Sequence, residues 1–210
     1  MTRHASRLLA ALLIGLSPIA ATAAAPPAPA GAQPSADPQF TISTVTEKKV
    51  TQIPDGPLYW RIENFPTLAA AQGAAGATAL AAEIGGKVWL FTLGANGGSS
   101  PGGSKVAEVG PINRIAASEY LLRINNAVAA PGTKTAVHSH PGTEAFYVLT
   151  GRLSQKTPQG VSNLEAGQSQ PGYGPGTVME VSNPGTATMN ALVMFLVDAG
   201  KPFSTPAKFD

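Results

Sequence analysis

The stretch Gly132-Thr-Lys-Thr-Ala-Val-His138-Ser-His140-Pro-Gly-Thr-Glu144-Ala-Phe-Tyr-Val-Leu-Thr-Gly151 decides how this chain folds. Side chains alternate faces along a β-strand, so His138 and His140 point the same way. Pro141-Gly142 is a turn signal, and Glu144 opens the returning strand, where its carboxylate faces the same two rings. Phe146 and Val148 follow on that inner face, Tyr147 faces away, and Gly151 closes the next turn. Two imidazoles and a carboxylate converging from a hairpin form a three-ligand set for a first-row divalent metal with coordination positions left open. Histidines are more often surface or hydrogen-bonded residues than ligands. Here the only other histidine, His4, falls in the N-terminal leader discussed below, and the remaining two stand at the one spacing that aligns them.

Around this hairpin the chain is a series of short apolar or alternating runs. Strands are expected near Thr41–Lys48, Leu58–Glu63, Lys87–Leu93, Glu119–Asn125, Thr135–His140, Ala145–Thr150, Val178–Ser182 and Ala191–Asp198. Breakers such as Asp55-Gly56-Pro57, Pro131-Gly132 and Asn183-Pro184-Gly185 separate them. Many short strands joined by Gly- and Pro-rich turns imply an all-β, antiparallel sandwich or barrel. The exception is Leu68–Glu83, an Ala-rich run expected to form one or two short helices interrupted at Gly73 and Gly76. The glycine-rich segment Gly94–Gly103 lacks the Lys-Ser/Thr ending of a phosphate cradle and reads as a surface loop.

The first 25 residues have another character. Arg3 and Arg7 precede a mostly apolar run, Leu8–Ile19, and Ala21-Thr22-Ala23 is a small-residue cleavage sequence. This is the layout of a secretory signal peptide, cut after Ala23 or Ala25. The apolar run is short for a membrane anchor. Residues 26–39 are Ala- and Pro-rich and read as an extended linker. Taking Arg3 and Arg7 from the 14 Lys and Arg leaves 12, equal to the 12 Asp and Glu, so the mature chain is formally neutral. That balance points away from nucleic acid and from anionic membrane surfaces. The chain has no cysteine, so no disulfide supports the fold despite the oxidising compartment expected for it. The resulting expectation is a periplasmic or secreted protein, with no membrane attachment after signal cleavage. An apolar fraction of 43% against 12% charged residues suits one folded domain.

Gly132–Gly151 resembles the first motif of the cupin superfamily, Gly-x5-His-x-His-x3-Glu-x6-Gly, at every fixed position. The resemblance covers roughly residues 115–200 and looks like a small single-domain, type-2-like cupin. It implies an antiparallel, jelly-roll-like β-barrel over 115–200. Residues 40–114 would be an N-terminal strand and helix extension packing on that barrel, with a degenerate second barrel as the alternative, and 201–210 a C-terminal tail. It further implies that His138, His140 and Glu144 bind iron, manganese, zinc, nickel or copper, usually with a third histidine from a second motif. Aligned on Gly176 and Asn183, that second motif reads Gly174-Pro175-Gly176-Thr-Val-Met179-Glu-Val-Ser-Asn183, with Met179 at the histidine position. Met179 is then either an apolar plug or a soft thioether ligand favouring Cu(I), the plug being the expectation. Glu180, next to it, is expected to point outward.

Arg123 shares a strand face with Leu121 and is a candidate anchor for an anionic substrate, set against the commoner role of a rim charge. Trp60, Trp89, Phe195, Phe203 and Phe209 read as packing residues. Fold alone does not fix function. The first expectation is a metal-dependent enzyme acting on a small organic molecule, with oxygenase, isomerase and lyase chemistry all open. The alternative is a non-catalytic module binding a metal or small ligand. The partners expected are a small molecule and, at most, a second copy in a homodimer.

Overall fold

The computed structural model describes residues 39–210, so the expected signal peptide and nearly all of the 26–39 linker lie outside the described residues. The elements in chain order are β1 (Phe40–Val50), β2 (Leu58–Phe65), α1 (Leu68–Ala74), β3 (Ala79–Ile84), β4 (Lys87–Gly94), β5 (Ser104–Ile112), β6 (Tyr120–Ala129), β7 (His138–Ser139), β8 (Gly142–Thr150), β9 (Arg152–Thr157), β10 (Gly160–Glu165), β11 (Ser169–Gln170), β12 (Glu180–Ser182), β13 (Met189–Asp198) and β14 (Thr205–Pro206). They form a five-stranded sheet β1-β6-β13-β8-β11, a three-stranded sheet β10-β9-β12, a pair β14-β7 and a four-stranded sheet β3-β4-β2-β5. All of the strand pairings are antiparallel.

The five-stranded sheet is the middle layer, and the two-residue period of its strands sorts apolar residues onto both faces. On one face Leu121, Ala127, Phe146, Val148, Ala191, Val193 and Phe195 pack against Leu153, Leu164 and Val181 of the three-stranded sheet. That is the barrel interior. On the other face Leu122, Ile124, Ala145, Leu192, Met194 and Leu196 pack against Trp60, Ile62, Leu80, Trp89, Phe91 and Leu93 of the four-stranded sheet. A sheet covered on both faces reads as near-continuous hydrophobicity, and β13, Met-Asn-Ala-Leu-Val-Met-Phe-Leu-Val-Asp, does so. Burying one such side chain contributes about 1.5–3 kcal/mol, and this layer contributes through both of its faces.

Residues 58–112 therefore form one open sheet backing the barrel, not a second barrel. β1 is a strand of the barrel's own main sheet, paired with β6 from Phe40↔Ala129 to Val50↔Tyr120. A register shift between Thr44 and Thr46 changes which residues of β1 face inward. Before it Phe40 and Ile42 point into the barrel; after it Glu47 takes that face, exposed and opposite Arg123. Bulges re-aim side chains in this way.

The expected helix over Leu68–Glu83 needs correcting. Thr67 caps a real helix, its Oγ1 accepting from the Ala70 N–H at 3.2 Å, but the helix ends at Ala74. Ala79–Ile84 is a strand paired with β4 through Gly85-Gly86, both at positive φ (59° and 72°). Two successive residues at positive φ suit the turn that returns a hairpin onto its partner. Tertiary pairing thus overrides the helical preference of alanine. Strands β5, β9, β10, β11 and β14 are additional to those expected from the sequence. The strand expected over Thr135–His140 is reduced to His138–Ser139, with single bridges Lys134↔Ser182 and His138↔Met179.

Candidate metal centre

His138 is held as a hydrogen-bonded cross-strand pair with Met179. Its N–H donates to the Met179 carbonyl at 3.0 Å, and the Met179 N–H returns to the His138 carbonyl at 2.8 Å. On its other flank, β7 pairs with β14, Thr205 opposite Ser139. Gly142 starts β8 hard against β13: a Cβ there would lie 2.6 Å from the Val197 Cα, and φ is not the constraint. This close approach sets Glu144 opposite Phe195, and Phe195 is in turn opposite Arg123. Glu47, Arg123, Phe195 and Glu144 thus form one row across the inner face of the sheet.

The three candidate ligands come together as the sequence predicts. One ligand atom each from His138, His140 and Glu144 lies within 4.8 Å of the others, and all three residues are buried. The two rings stand nearly perpendicular (84°) with centroids 4.9 Å apart. His138 Nδ1 is 2.8 Å from the Ala136 carbonyl and His140 Nδ1 is 2.6 Å from the Phe203 carbonyl. A carbonyl only accepts, so both protons are assigned to Nδ1 and both Nε2 atoms are presented with their lone pairs. Burial pushes the His138 pKa below its ordinary value, against the raising effect of the Ala136 carbonyl. His140 falls to about 3: burial, then the neighbouring His138 and Arg123, lower it, and the Phe203 carbonyl opposes them. Both imidazoles are accordingly neutral at ordinary pH, the form that binds a metal.

The donor set fits a divalent ion. Three atoms no more than 4.8 Å apart always have a point within about 2.8 Å of all of them, so side-chain adjustments of under about 1 Å reach normal bond lengths. Two buried imidazoles and a buried carboxylate are the composition of a 2-His-1-carboxylate centre.

Met179 is buried on the same strand face as His138, since directly opposed residues in an antiparallel pair share a face. Its Sδ accepts from the Gln155 Nε2 at 3.4 Å, and Gln155 Oε1 accepts from Gln170 Nε2 at 2.9 Å. Glu180 points outward, paired with Lys134 at 3.0 Å. Arg123 is buried inside the barrel. Glu47 accepts from its Nε and NH2 groups at 2.7 Å, and the guanidinium carbon sits 4.0 Å from the Phe203 ring centroid. Tyr147 packs on the opposite face, towards the four-stranded sheet, as do Trp60 and Trp89. Phe209 lies under Lys156 at 4.6 Å.

Phe195 and Phe203 do more than pack. Their rings and that of His140 form a mutual cluster with centroids 4.9–5.0 Å apart. The expected C-terminal tail is thus part of the site, through the Phe203 ring and carbonyl. Gln155, Gln170, Glu47 and Gly172 also went unnoticed in sequence. Gly172 alone left a signal, as one of the glycines in the breaker run Gly172–Gly176. A pocket beside Glu144, Phe146, Thr135 and Val193 has a volume of about 10 Å³, barely a water's worth. Outside, an open cleft of about 380 Å³ runs along Ser139, His140, Pro175, Lys201, Pro202 and Thr205.

Sheets and site together form an antiparallel β-barrel with a buried His-His-Glu group that could hold a metal ion. No protein-family model matches the chain, and no curated protein is similar to it. Solved cupin structures are its neighbours. A cupin 2 conserved barrel domain protein from Salinispora arenicola is 24% identical, covering 38% of this chain and 65% of that one, with a TM-score of 0.34. A cupin-like protein from Thermotoga maritima is 18% identical, over 41% of this chain and 64% of that one, with a TM-score of 0.37. A cupin-superfamily sugar phosphate isomerase from Silicibacter pomeroyi is 20% identical, over 42% of this chain and 58% of that one, with a TM-score of 0.36. The matched stretch is under two-thirds of the length of each.

Proposed function

We propose that this protein is an exported, metal-dependent enzyme acting on a small organic molecule. The observation that carries the reading is the convergence of two neutral imidazoles, each with its tautomer fixed by a backbone carbonyl, and one carboxylate, all buried. His138 and His140, through Nε2, and Glu144 would hold the ion. Bound there, a first-row metal supplies Lewis-acid or oxygen-binding chemistry at its open positions. The carbonyls of Ala136 and Phe203 orient the imidazoles. Phe146, Val193, Leu153 and Val181 exclude water from the floor of the site, which strengthens every charge interaction in it. Arg123, bound to Glu47, is the buried cation on the row that ends at Glu144 and would set the charge felt by an anionic group there. Export is supported by Arg3, Arg7, the apolar run and the Ala-x-Ala sequence.

One observation favours a second reading, a non-catalytic metal-binding module. The pocket beside Glu144, lined by Phe146, Leu153, Val181 and Val193, has only about 10 Å³ of free volume. Elemental analysis of protein purified from its native export compartment, with small-molecule mass spectrometry of what co-purifies, tests both. About one first-row metal per chain, lost in Glu144→Gln and His140→Ala, is the expected result. Native protein that carries no such metal and takes up none in vitro would overturn the metal reading. A metal-loaded protein with no turnover across carboxylates, sugars and phenols would favour the second reading over the first.

A further inference from the structure

The segment that carries Met179 runs between two neighbours. On one flank Met179 exchanges both backbone hydrogen bonds with His138, and β12, which follows it, pairs on the other flank with β9. Directly opposed residues share a face with Cβ atoms about 4.5–5.5 Å apart, so the Met179 side chain starts within reach of anything His138 holds. Methionine has three rotatable bonds and a polarizable sulfur, so an unanchored thioether there would be free to swing to a metal. The anchor is Gln155 of β9. It is buried, as is Met179, and its Nε2 donates to the Met179 Sδ at 3.4 Å. Gln155 is in turn fixed from the five-stranded sheet, its Oε1 accepting from the Nε2 of half-buried Gln170 in β11 at 2.9 Å. The direction of the amide follows from its chemistry, since a carboxamide oxygen turned to the sulfur would set lone pair against lone pair. The sulfur is therefore drawn towards β9, on the flank away from His138.

We propose that Gln155, oriented by Gln170, is a positioning residue that holds the Met179 thioether off an ion bound by His138, His140 and Glu144, and so sets which metal the site prefers. The inference rests on the metal reading above and adds a determinant of metal identity. With the sulfur held back, the chain offers two imidazole nitrogens and a carboxylate oxygen, a set without a soft ligand that suits Zn(II), Mn(II) or Fe(II). With the sulfur released, the set gains a thioether and turns towards Cu(I). A buried glutamine that only filled space could give way to an apolar side chain of similar size without altering metal choice. Its bond to the sulfur is what ties it to that choice.

The test uses the full-length mature protein with Zn(II) and Cu(I) as probes, affinity being read by competition titration and Cu(I) coordination by X-ray absorption. Gln155→Leu should raise Cu(I) affinity about three- to tenfold, the range one net hydrogen bond spans, and leave Zn(II) affinity unchanged. A copper–sulfur shell should appear in this variant and be absent from the wild type. The gain should vanish in Gln155→Leu/Met179→Leu, because the two changes act through one contact. Gln170→Ala, at a half-buried position, should give a smaller gain in the same direction and serves if Gln155→Leu folds poorly. The metal-free protein supplies a second readout. NMR of isotope-labelled methionine methyls follows Met179, Met189 and Met194, the methionines of the mature chain. Gln155→Leu should move the Met179 signal and leave that of Met194, which packs on the other face of the main sheet. A copper–sulfur shell in the wild type, an unchanged Cu(I) affinity in Gln155→Leu, equal changes for Zn(II) and Cu(I), or a Cu(I) gain that persists without the Met179 sulfur would each overturn the proposal. If the wild type binds neither ion, the metal reading fails, and the Met179 signal of the metal-free protein still decides whether Gln155 holds the sulfur: an unmoved signal overturns it.

Discussion

Gly172→Ala should damage the metal site more than any other single-methyl change near it. Gly172 follows β11 and lies against the Glu144 backbone at φ +73°; a Cβ there would overlap the Glu144 carbonyl oxygen, with the carbonyl carbon 2.7 Å away. Both neighbours are backbone, so no side-chain rotation relieves the overlap. Two costs add. An L-residue in the left-handed region loses about 1–2 kcal/mol, and overpacking that shifts backbone costs about 1–3 kcal/mol. The sum, roughly 2–5 kcal/mol, corresponds to a fall in Tm of about 10 °C for a domain of this size. Gly176→Ala is the control, because Gly176 has nearly the same φ (+76°) and nothing within 4 Å of the added Cβ. It should lose only the left-handed term, about 4 °C. Thermal unfolding by circular dichroism reads the stabilities, and Zn(II) calorimetry reads the site. Zn(II) affinity should drop at least tenfold in Gly172→Ala and hold in Gly176→Ala, since only the first moves the Glu144 strand. Equal Tm losses, or an unchanged Zn(II) affinity in Gly172→Ala, would refute the reasoning that Gly172 sets the position of Glu144.

Three further outcomes are expected. Glu63 is fully buried under the glycine-rich loop. Burial alone would raise its pKa, but hydrogen bonds from the Ser100 hydroxyl (2.7 Å) and N–H (2.8 Å) and from Arg61 (3.0 Å) hold it below the ordinary value. A depressed carboxylate stabilises the fold above its unfolded pKa, and that contribution is lost as pH falls through the folded value. Urea unfolding from pH 7 to 3 should therefore show a steeper acid loss in wild type than in Glu63→Gln, which starts roughly 1.5–3 kcal/mol less stable; parallel curves would contradict it. Met179→Leu should cost under about 1.5 kcal/mol and leave Zn(II) and Cu(I) affinities alike, as for an apolar plug, whereas a large copper-selective loss would make the thioether a ligand. Mass spectrometry of exported protein should find a mature start at Ala24 or Pro26, and an intact Met1 on abundant cytoplasmic protein would refute export.

The parts of this molecule that were legible in sequence are those fixed by local periodicity. His138, His140 and Glu144 could be placed on one face because two residues and a Pro-Gly turn set their directions, and no distant contact was needed to aim them. Arg123 is different: its strand face could be read, but its meaning depends on Glu47, which reaches it only because a bulge in β1 shifts the register. The same holds for Ala79–Ile84, whose composition favours helix while its hairpin to β4 makes it a strand. The tail was least legible of all. Phe203 lies 63 residues from His140, and nothing in Lys-Pro-Phe-Ser-Thr-Pro announces that its carbonyl fixes a histidine tautomer. A motif therefore specifies which atoms can bind a metal, whereas the long-range contacts determine whether anything else can reach it. The Gly132–Gly151 pattern thus aims the three candidate ligands, whereas Glu47 and Phe203, which stand around them, arrive through a register shift and a distant segment that carry no motif.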